Sequence, residues 1–254
     1  MDLGLEGRTV IVTGASGGIG RHVARRFAAE GADVVLTYHA SGEAARSAAD
    51  KLAADFGNRA MAARFDLAAA DSASALVEAV LAWSGRIDVL VNNAVHWGAT
   101  APDSTGAFED APDEAWQRVL RTNLEGTLRL SRAVAPHMRG RGWGRLVHVS
   151  SSIAVDGMPG GEYYGAAKAA LHGFSRSAAF SLGRDGDILS NVVMPGLTRT
   201  ETNAHIVDSV PPEFAERYAL GRLLDADEVA GPIVYLGSGA NTGITGQTLL
   251  VNGG

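Results

Sequence analysis

A tyrosine and a lysine four residues apart, Tyr164-Gly165-Ala166-Ala167-Lys168, lie in a stretch patterned as a helix. Positions i and i+4 share a helix face, so the ammonium can lie near the phenol. A free phenol ionises at ~10, and a nearby cation favours its phenolate. Lowering that value by about three units takes about 4 kcal/mol, which one close cation in a poorly hydrated cleft can supply. Such a tyrosine exchanges a proton with an alcohol or a carbonyl oxygen near neutral pH. The pair alone also fits an ordinary helix face. Ser150-Ser151-Ser152 close a strand-like run, and Ser151 stands thirteen residues before Tyr164. A serine there can hold a substrate oxygen beside the phenol; Ser150 and Ser152 are alternatives for that role, or turn and cap residues. Asn123 falls inside a helical pattern, where asparagine competes for backbone hydrogen bonds. A solvent-facing Asn123 is the plain alternative.

A second constellation is the turn Thr13-Gly14-Ala15-Ser16-Gly17-Gly18-Ile19-Gly20, which follows one strand pattern and opens a helical one. Glycines at such a junction permit a tight turn, close approach of backbone to a pyrophosphate, and close helix–strand packing. The helix N-terminus then offers free N–H groups and partial positive charge to the phosphates. This context predicts a dinucleotide site. An acid at the end of the next strand would bind the ribose hydroxyls of NAD and repel a 2′-phosphate. That end reads Tyr38-His39-Ala40-Ser41, without an acid. NADP(H) is therefore favoured over NAD(H), with His39 and Ser41 as candidate phosphate donors or plain solvated loop residues. Asp66 ends the third strand pattern, as an adenine contact or a strand-end cap.

Seven short runs rich in β-branched residues alternate with Ala-rich stretches: Thr9–Thr13, Val34–Tyr38, Ala62–Asp66, Val89–Asn92, Leu146–Ser150, Ile188–Met194 and Thr248–Val251. Several are apolar throughout, as in parallel strands covered on both faces. Helical patterns fill the gaps: Arg21–Glu30, Glu43–Phe56, Ser72–Trp83, a long Asp113–Met138, Tyr163–Leu182 and Asp227–Leu236. Strand and helix in alternation predict an α/β fold with one doubly wound parallel sheet. No linker or repeat interrupts residues 1–254, so one domain is expected. Residues 96–111 and 197–219 read as long loops at the carboxyl ends of strands, where ligands of this architecture bind. The chain has no cysteine, which excludes disulfides and thiolate metal sites. Its formal net charge of −6 is dispersed, which argues against nucleic acid as the main partner. No apolar run approaches the ~20 residues of a spanning helix, and no secretory signal is visible, so the cytoplasm is the expected location. The histidines show no paired metal spacing, and no metal is expected.

Taken in order, these motifs resemble the short-chain dehydrogenase/reductase family from end to end. The glycine turn resembles its T-G-x-x-x-G-x-G element, and the Ser151-to-Tyr164 interval matches its catalytic spacing. Asn92-Asn93-Ala94 resembles its N-N-A-G motif, with Val95 in place of the glycine. Pro195-Gly196-Leu197-Thr198-Arg199-Thr200 resembles its P-G-x-x-x-T segment. The resemblance implies a Rossmann-type, seven-stranded sheet of order 3-2-1-4-5-6-7 with helices on both faces, and a homotetramer. It implies catalytic Asn123, Ser151, Tyr164 and Lys168, with Asn123 opening its helix to hold a water of a proton relay. It implies cofactor contacts from Gly14, Ser16, Gly17, Gly18, Ile19, Gly20, Tyr38, His39, Ser41, Asp66, Leu67, Asn93, Ala94, Val95, Tyr164, Lys168, Pro195, Gly196, Leu197, Thr198 and Thr200. The nearest group is that of 3-oxoacyl-carrier-protein reductases, so the expected reaction is NADP(H)-linked interconversion of a ketone and a secondary alcohol on a small-molecule or acyl-thioester substrate. An NAD-linked sugar, polyol or steroid alcohol dehydrogenase is the alternative, and a non-catalytic dinucleotide-binding regulator a third reading. Val95 is expected to cost a small backbone or cofactor adjustment. Trp97 either lines the substrate mouth or is a bystander in an exposed loop.

Overall fold

Seven of the strands form one parallel sheet in the computed structural model, which describes residues 1–97 and 107–254. In chain order they are β1 (Thr9–Val12), β2 (Asp33–Tyr38), β3 (Ala60–Arg64), β4 (Val89–Asn92), β5 (Trp143–Val149), β6 (Asp187–Pro195) and, last, β9 (Thr248–Val251). Their spatial order is β3-β2-β1-β4-β5-β6-β9, all parallel. Counting sheet strands alone, this is the expected 3-2-1-4-5-6-7. Three strands differ from their expected bounds by one residue at one end or both, and two start two or more residues earlier. Ala60–Arg64 pairs residue by residue with Val34–Tyr38, so β3 lies two residues earlier than its composition indicates. β5 starts at Trp143, directly after Gly142 ends the preceding helix.

Successive strand residues face opposite sides, and the two sides bury separate cores. Val10, Val12, Val34, Leu36, Val89 and Val91 pack with Val23, Phe27, Val229 and Ile233 from helices α1 (Gly18–Ala29) and α10 (Ala226–Leu236). Ile11, Val35 and Leu90 pack on the other side, with Leu76 and Val80 of α3 (Ser72–Ser84) and Leu130, Val134 and Met138 of α5 (Gly126–Arg141). Helix α2 (Gly42–Phe56) adds Ala49 and Leu52 to the first side, and α7 (Glu162–Leu182) adds Leu182 to the second. Burial on both faces explains why the strands read as nearly unbroken apolar runs.

The stretch expected as one long helix is three segments. α4 (Asp113–Leu120) runs into a π-helical turn, Arg121–Glu125, before α5 begins. Residues 197–219 are not a bare loop. They carry β7 (Thr198–Arg199), α8 (Ala204–Val207) and α9 (Pro212–Glu216), and β7 pairs in parallel with β8 (Leu224–Asp225). Of the other expected loop, Phe108–Asp110 forms a 3-10 turn; Gly98, Ala99, Thr100, Ala101 and Pro102 lie outside the described residues. The carboxyl ends of β1, β4, β5 and β6 bring Thr13, Asn93, Ser150 and Gly196 to one edge of the sheet, where this architecture binds ligands.

Candidate active site

The π turn at Arg121–Glu125 places one extra residue in the helix and reorients Asn123. Asn123 is fully buried. Its Nδ2 donates to the His96 carbonyl at 2.6 Å and to Val119 O at 3.0 Å, and its Oδ1 accepts from His96 N at 2.9 Å. The side chain thus pairs with both backbone groups of His96 and fixes the segment that leaves β4. The helix opening implied by the resemblance is present, and it also anchors that segment.

On α7, Tyr164 and Lys168 are both buried and on the same face. The Lys168 ammonium lies 5.7 Å from the centre of the Tyr164 ring and donates to Val149 O at 2.8 Å. Burial lowers Lys168 to about 8, because a charge inside protein loses its hydration. Burial acts on the phenol in the opposite sense and holds Tyr164 above its ordinary value, while the Ser151 hydroxyl draws it part-way back. The expected acidification by Lys168 is therefore not what these protein groups produce. The ammonium bonds to a strand carbonyl, and the influences on the phenol are its burial and the Ser151 hydroxyl. Among the three serines, Ser151 is the one beside the phenol. Ser150 turns away, with its Oγ donating to Lys168 O at 3.1 Å and meeting His172 Nε2 at 2.8 Å.

Beneath these groups runs a buried polar chain. Thr127 Oγ1 donates to Asn123 O at 3.1 Å, Ser131 Oγ to Thr127 O at 2.8 Å, and Asn92 Nδ2 to Ser131 Oγ and to His148 Nδ1, each at 3.1 Å. Since an amide nitrogen only donates, His148 Nδ1 is an acceptor and the ring is neutral. Burial, with Lys168 nearby, pushes His148 down to about 3. The sheet buries this histidine completely.

The glycine turn has the shape of a backbone cradle. Gly14 and Gly18 have φ of +66° and +54°, where a side chain is strained. A Cβ on Gly14 would stand 3.0 Å from Ala94 Cα, and one on Gly20 would stand 2.5 Å from Asn93 Nδ2 and 2.6 Å from Gly14 O. Thr13 ties the turn to β4: its Oγ1 accepts from Asn93 N at 2.8 Å and Ala94 N at 2.9 Å, and its carbonyl accepts from Asn93 Nδ2 at 2.9 Å. No side chain caps the N-terminus of α1, so its leading N–H groups suit an anion. These features fit a dinucleotide pyrophosphate. Thr200 and Thr202 lie over the same turn, the Thr202 methyl 3.4 Å from where a Gly17 Cβ would be. At the next strand ends, His39 Nε2 lies 3.5 Å from Asp66 Oδ2, so the two residues read separately in the sequence form a pair. Ser16 and Ser41 are exposed, and Ile19, Tyr38 and Leu67 are half-buried. The Leu67 backbone lies against Gly126, where no Cβ fits. Pro195 and Thr198 are buried and Gly196 and Leu197 half-buried at the end of β6. Val95 has no left-handed backbone and is 42% exposed, so the β-branched side chain meets no strain there.

Matching confirms the family. Residues 14–254 match the family model described as Enoyl-(Acyl carrier protein) reductase. The chain belongs to the short-chain dehydrogenase/reductase family. It is 39% identical to the L-rhamnose 1-dehydrogenase (NAD(P)(+)) of Sphingomonas sp. (strain SKA58), over 98% of this chain and 96% of that one. It is 34% identical to the 3-oxoacyl-(acyl-carrier-protein) reductase FabG of Aquifex aeolicus (strain VF5), over 100% of this chain and 99% of that one. Its structure is similar to that of L-sorbose reductase from Gluconobacter frateurii complexed with NADPH and L-sorbose, with a TM-score of 0.88 and 32% identity over 100% and 98% of the two chains. The protein is accordingly an NAD(P)-dependent oxidoreductase acting on CH–OH groups. No helix among the described residues is long and apolar enough to cross a membrane.

Three features were not read from the sequence. Thr13 knots the glycine turn to β4, for which its place ahead of Gly14 was the available signal. His22 pairs with Glu201 at 3.0 Å and ties the segment after β7 to α1. Trp97 stacks on Tyr164, their ring centres 4.3 Å apart and planes 23° from parallel; its position three residues past Ala94 placed it near the cleft but not on the phenol.

Proposed function

We propose that the protein interconverts a ketone and a secondary alcohol with NADP(H) in preference to NAD(H), using Tyr164 as the general acid and base. The observation that carries this reading is the buried phenol beside Ser151, linked to the glycine turn. Ala94 packs on Gly14, and Trp97, three residues further on, stacks on Tyr164. In reduction, Ser151 holds the carbonyl oxygen and Tyr164 gives it a proton. Desolvation suits the phenol to this step, since it keeps the proton in place until an oxygen that develops negative charge arrives. Lys168, fixed by Val149 O, supplies positive charge near the phenolate that remains. Asn123 holds the turn from which protons are replenished. The nicotinamide cofactor, when bound, supplies or accepts the hydride.

The cofactor preference rests on Tyr38-His39-Ala40-Ser41, an end of β2 without an acid. Gly14, Ser16, Gly17, Gly18, Ile19 and Gly20 would hold the pyrophosphate. Tyr38, His39, Ser41, Asp66 and Leu67 would meet the adenosine half. Asn93, Ala94, Val95, Pro195, Gly196, Leu197, Thr198 and Thr200 would meet the nicotinamide half. The substrate is a 3-oxoacyl or polyketide-type thioester on the first reading. A second reading, a sugar or polyol, is favoured by the identity to an L-rhamnose dehydrogenase. Residues 1–254 act as one domain on this view, in the cytoplasm. The assembly is a homotetramer, which would cover the exposed Leu249 and Leu250 of edge strand β9 and the exposed Phe180 of α7. Steady-state rates with NADPH and NADH over a carbonyl panel test the proposal. Faster turnover with NADPH supports it; measurable cofactor binding without turnover on any carbonyl refutes it.

A further inference from the structure

A run of contacts leads from the π turn to the phenol through two residues that the proton chemistry does not use. The Asn123 amide holds both backbone groups of His96, accepting from its N–H at 2.9 Å and donating to its carbonyl at 2.6 Å. The chain that enters Trp97 is therefore fixed. The indole of Trp97 stacks on Tyr164, ring centres 4.3 Å apart and planes 23° from parallel. The phenol hydroxyl lies in the plane of its own ring, so an indole laid on the face covers that ring without blocking the path of the proton. Trp97 is the outer member of the stack, 45% exposed against 7% for Tyr164. No other aromatic ring among the described pairs covers this phenol, since Tyr163 stacks on Trp116 and donates to Phe108 O at 2.9 Å. The remaining groups around Tyr164 come from three elements. Lys168, on the same helix, holds its ammonium 5.7 Å from the ring centre and donates it to Val149 O. Ser151, beyond β5, brings a neutral hydroxyl. The π turn brings the neutral amide of Asn123, committed to His96 and Val119 O.

We propose that Trp97 is a positioning residue for proton transfer: its indole clamps the plane of the Tyr164 ring and keeps water from its face, and Asn123 acts on the phenol through it. This inference rests on the reading of Tyr164 as the general acid and base. A ring free to tilt about its bond would carry the hydroxyl away from the substrate oxygen, and small misplacements of a reacting group cost rate steeply. Water admitted to the ring face would hydrate a phenolate and favour it, and burial is the first cause that holds Tyr164 above its ordinary value. The indole face offers the phenolate no such help, because an aromatic face carries negative charge density.

The test compares the wild type, Trp97→Ala, Trp97→Phe and Tyr164→Phe on the best carbonyl substrate with NADPH, and on the corresponding alcohol with NADP⁺ across the pH range. Trp97→Ala should lose about tenfold in kcat for reduction, with KM for the carbonyl within about threefold of wild type. In oxidation, where the phenolate takes the proton, the alkaline rise in rate should move to a pH lower by about 1. Trp97→Phe keeps a flat cover and should restore both readouts. A second readout needs no turnover: the ultraviolet absorbance of phenol ionisation, taken with and without Tyr164→Phe, should place the Tyr164 phenol at lower pH in Trp97→Ala than in the wild type. Wild-type kcat and pH profile in Trp97→Ala would overturn the inference. So would a fall in kcat with the oxidation profile and the absorbance titration both unmoved, which would mean that Trp97 only packs its segment, or a loss confined to KM, which would make it a substrate contact. Should Tyr164→Phe keep its turnover, the acid–base reading itself fails; an inactive Tyr164→Phe beside an unaltered Trp97→Ala removes this inference alone.

Discussion

His148 is held neutral inside the sheet, and acid should therefore unfold this protein through it. Its pKa lies at about 3 against an ordinary 6.5. Protonation would turn Nδ1 from acceptor to donor facing the Asn92 amide, which already donates to it at 3.1 Å. The unfolded chain takes up this proton below about 6.5, and the folded chain does so only near 3. The depressed value thus adds stability that is fully present above the unfolded pKa and is lost progressively as pH falls toward 3. At 1.36 kcal/mol per pKa unit, His148 alone should remove about 2 kcal/mol between pH 7 and pH 5. His148→Asn retains an acceptor for Asn92 without a titrating group. It should cost stability at pH 7, because a smaller side chain leaves a cavity, but its loss from pH 7 to pH 5 should be smaller than that of the wild type by about 2 kcal/mol. Urea unfolding at both pH values, followed by circular dichroism, measures the difference. Equal losses in the two proteins would refute the claim that a buried neutral imidazole carries this acid sensitivity.

Two other expectations concern the cleft itself. Gly20→Ala drives a Cβ to 2.5 Å from Asn93 Nδ2 and 2.6 Å from Gly14 O, both held by the Thr13 knot. It should destabilise the fold by about 1–3 kcal/mol and weaken NADPH binding; denaturant unfolding and a fluorescence titration check this, and wild-type values in both would contradict the cradle. Lys168 carries its charge below about pH 8 and loses it above. In the reductive direction kcat/KM should therefore decline above about pH 8, and a flat profile to pH 10 would show that the ammonium plays no part.

The strands at Val89–Asn92 and Thr248–Val251 were legible to the residue, because each is an apolar run bounded by polar or glycine-rich turns. Ala60-Met61-Ala62-Ala63-Arg64 has no β-branched residue, and its register against β2 is fixed only by the assembled sheet. The same limit applies within residues 197–219: β7 is a strand because it pairs with β8, a pairing no local pattern encodes. Asn123 was legible as an anomaly in a helix, though not as the partner of His96. Asn123, Ser151, Tyr164 and Lys168 were legible as candidates from residue types and intervals, whereas the effect of burial on Tyr164 was not. Burial is a property of the packed chain rather than of a tyrosine and lysine four residues apart. His39 and Asp66 likewise meet only because β2 and β3 are neighbours.

The most direct measurement of the chemistry is made on Tyr164→Phe, which removes one oxygen and keeps the ring on which Trp97 stacks. NADPH affinity by titration and turnover of the best carbonyl substrate are compared with the wild type. The expected result is a fall in kcat of at least ~10²-fold, with NADPH bound as tightly as before. Turnover close to the wild-type rate, with the phenol oxygen gone, would contradict its role as the proton donor.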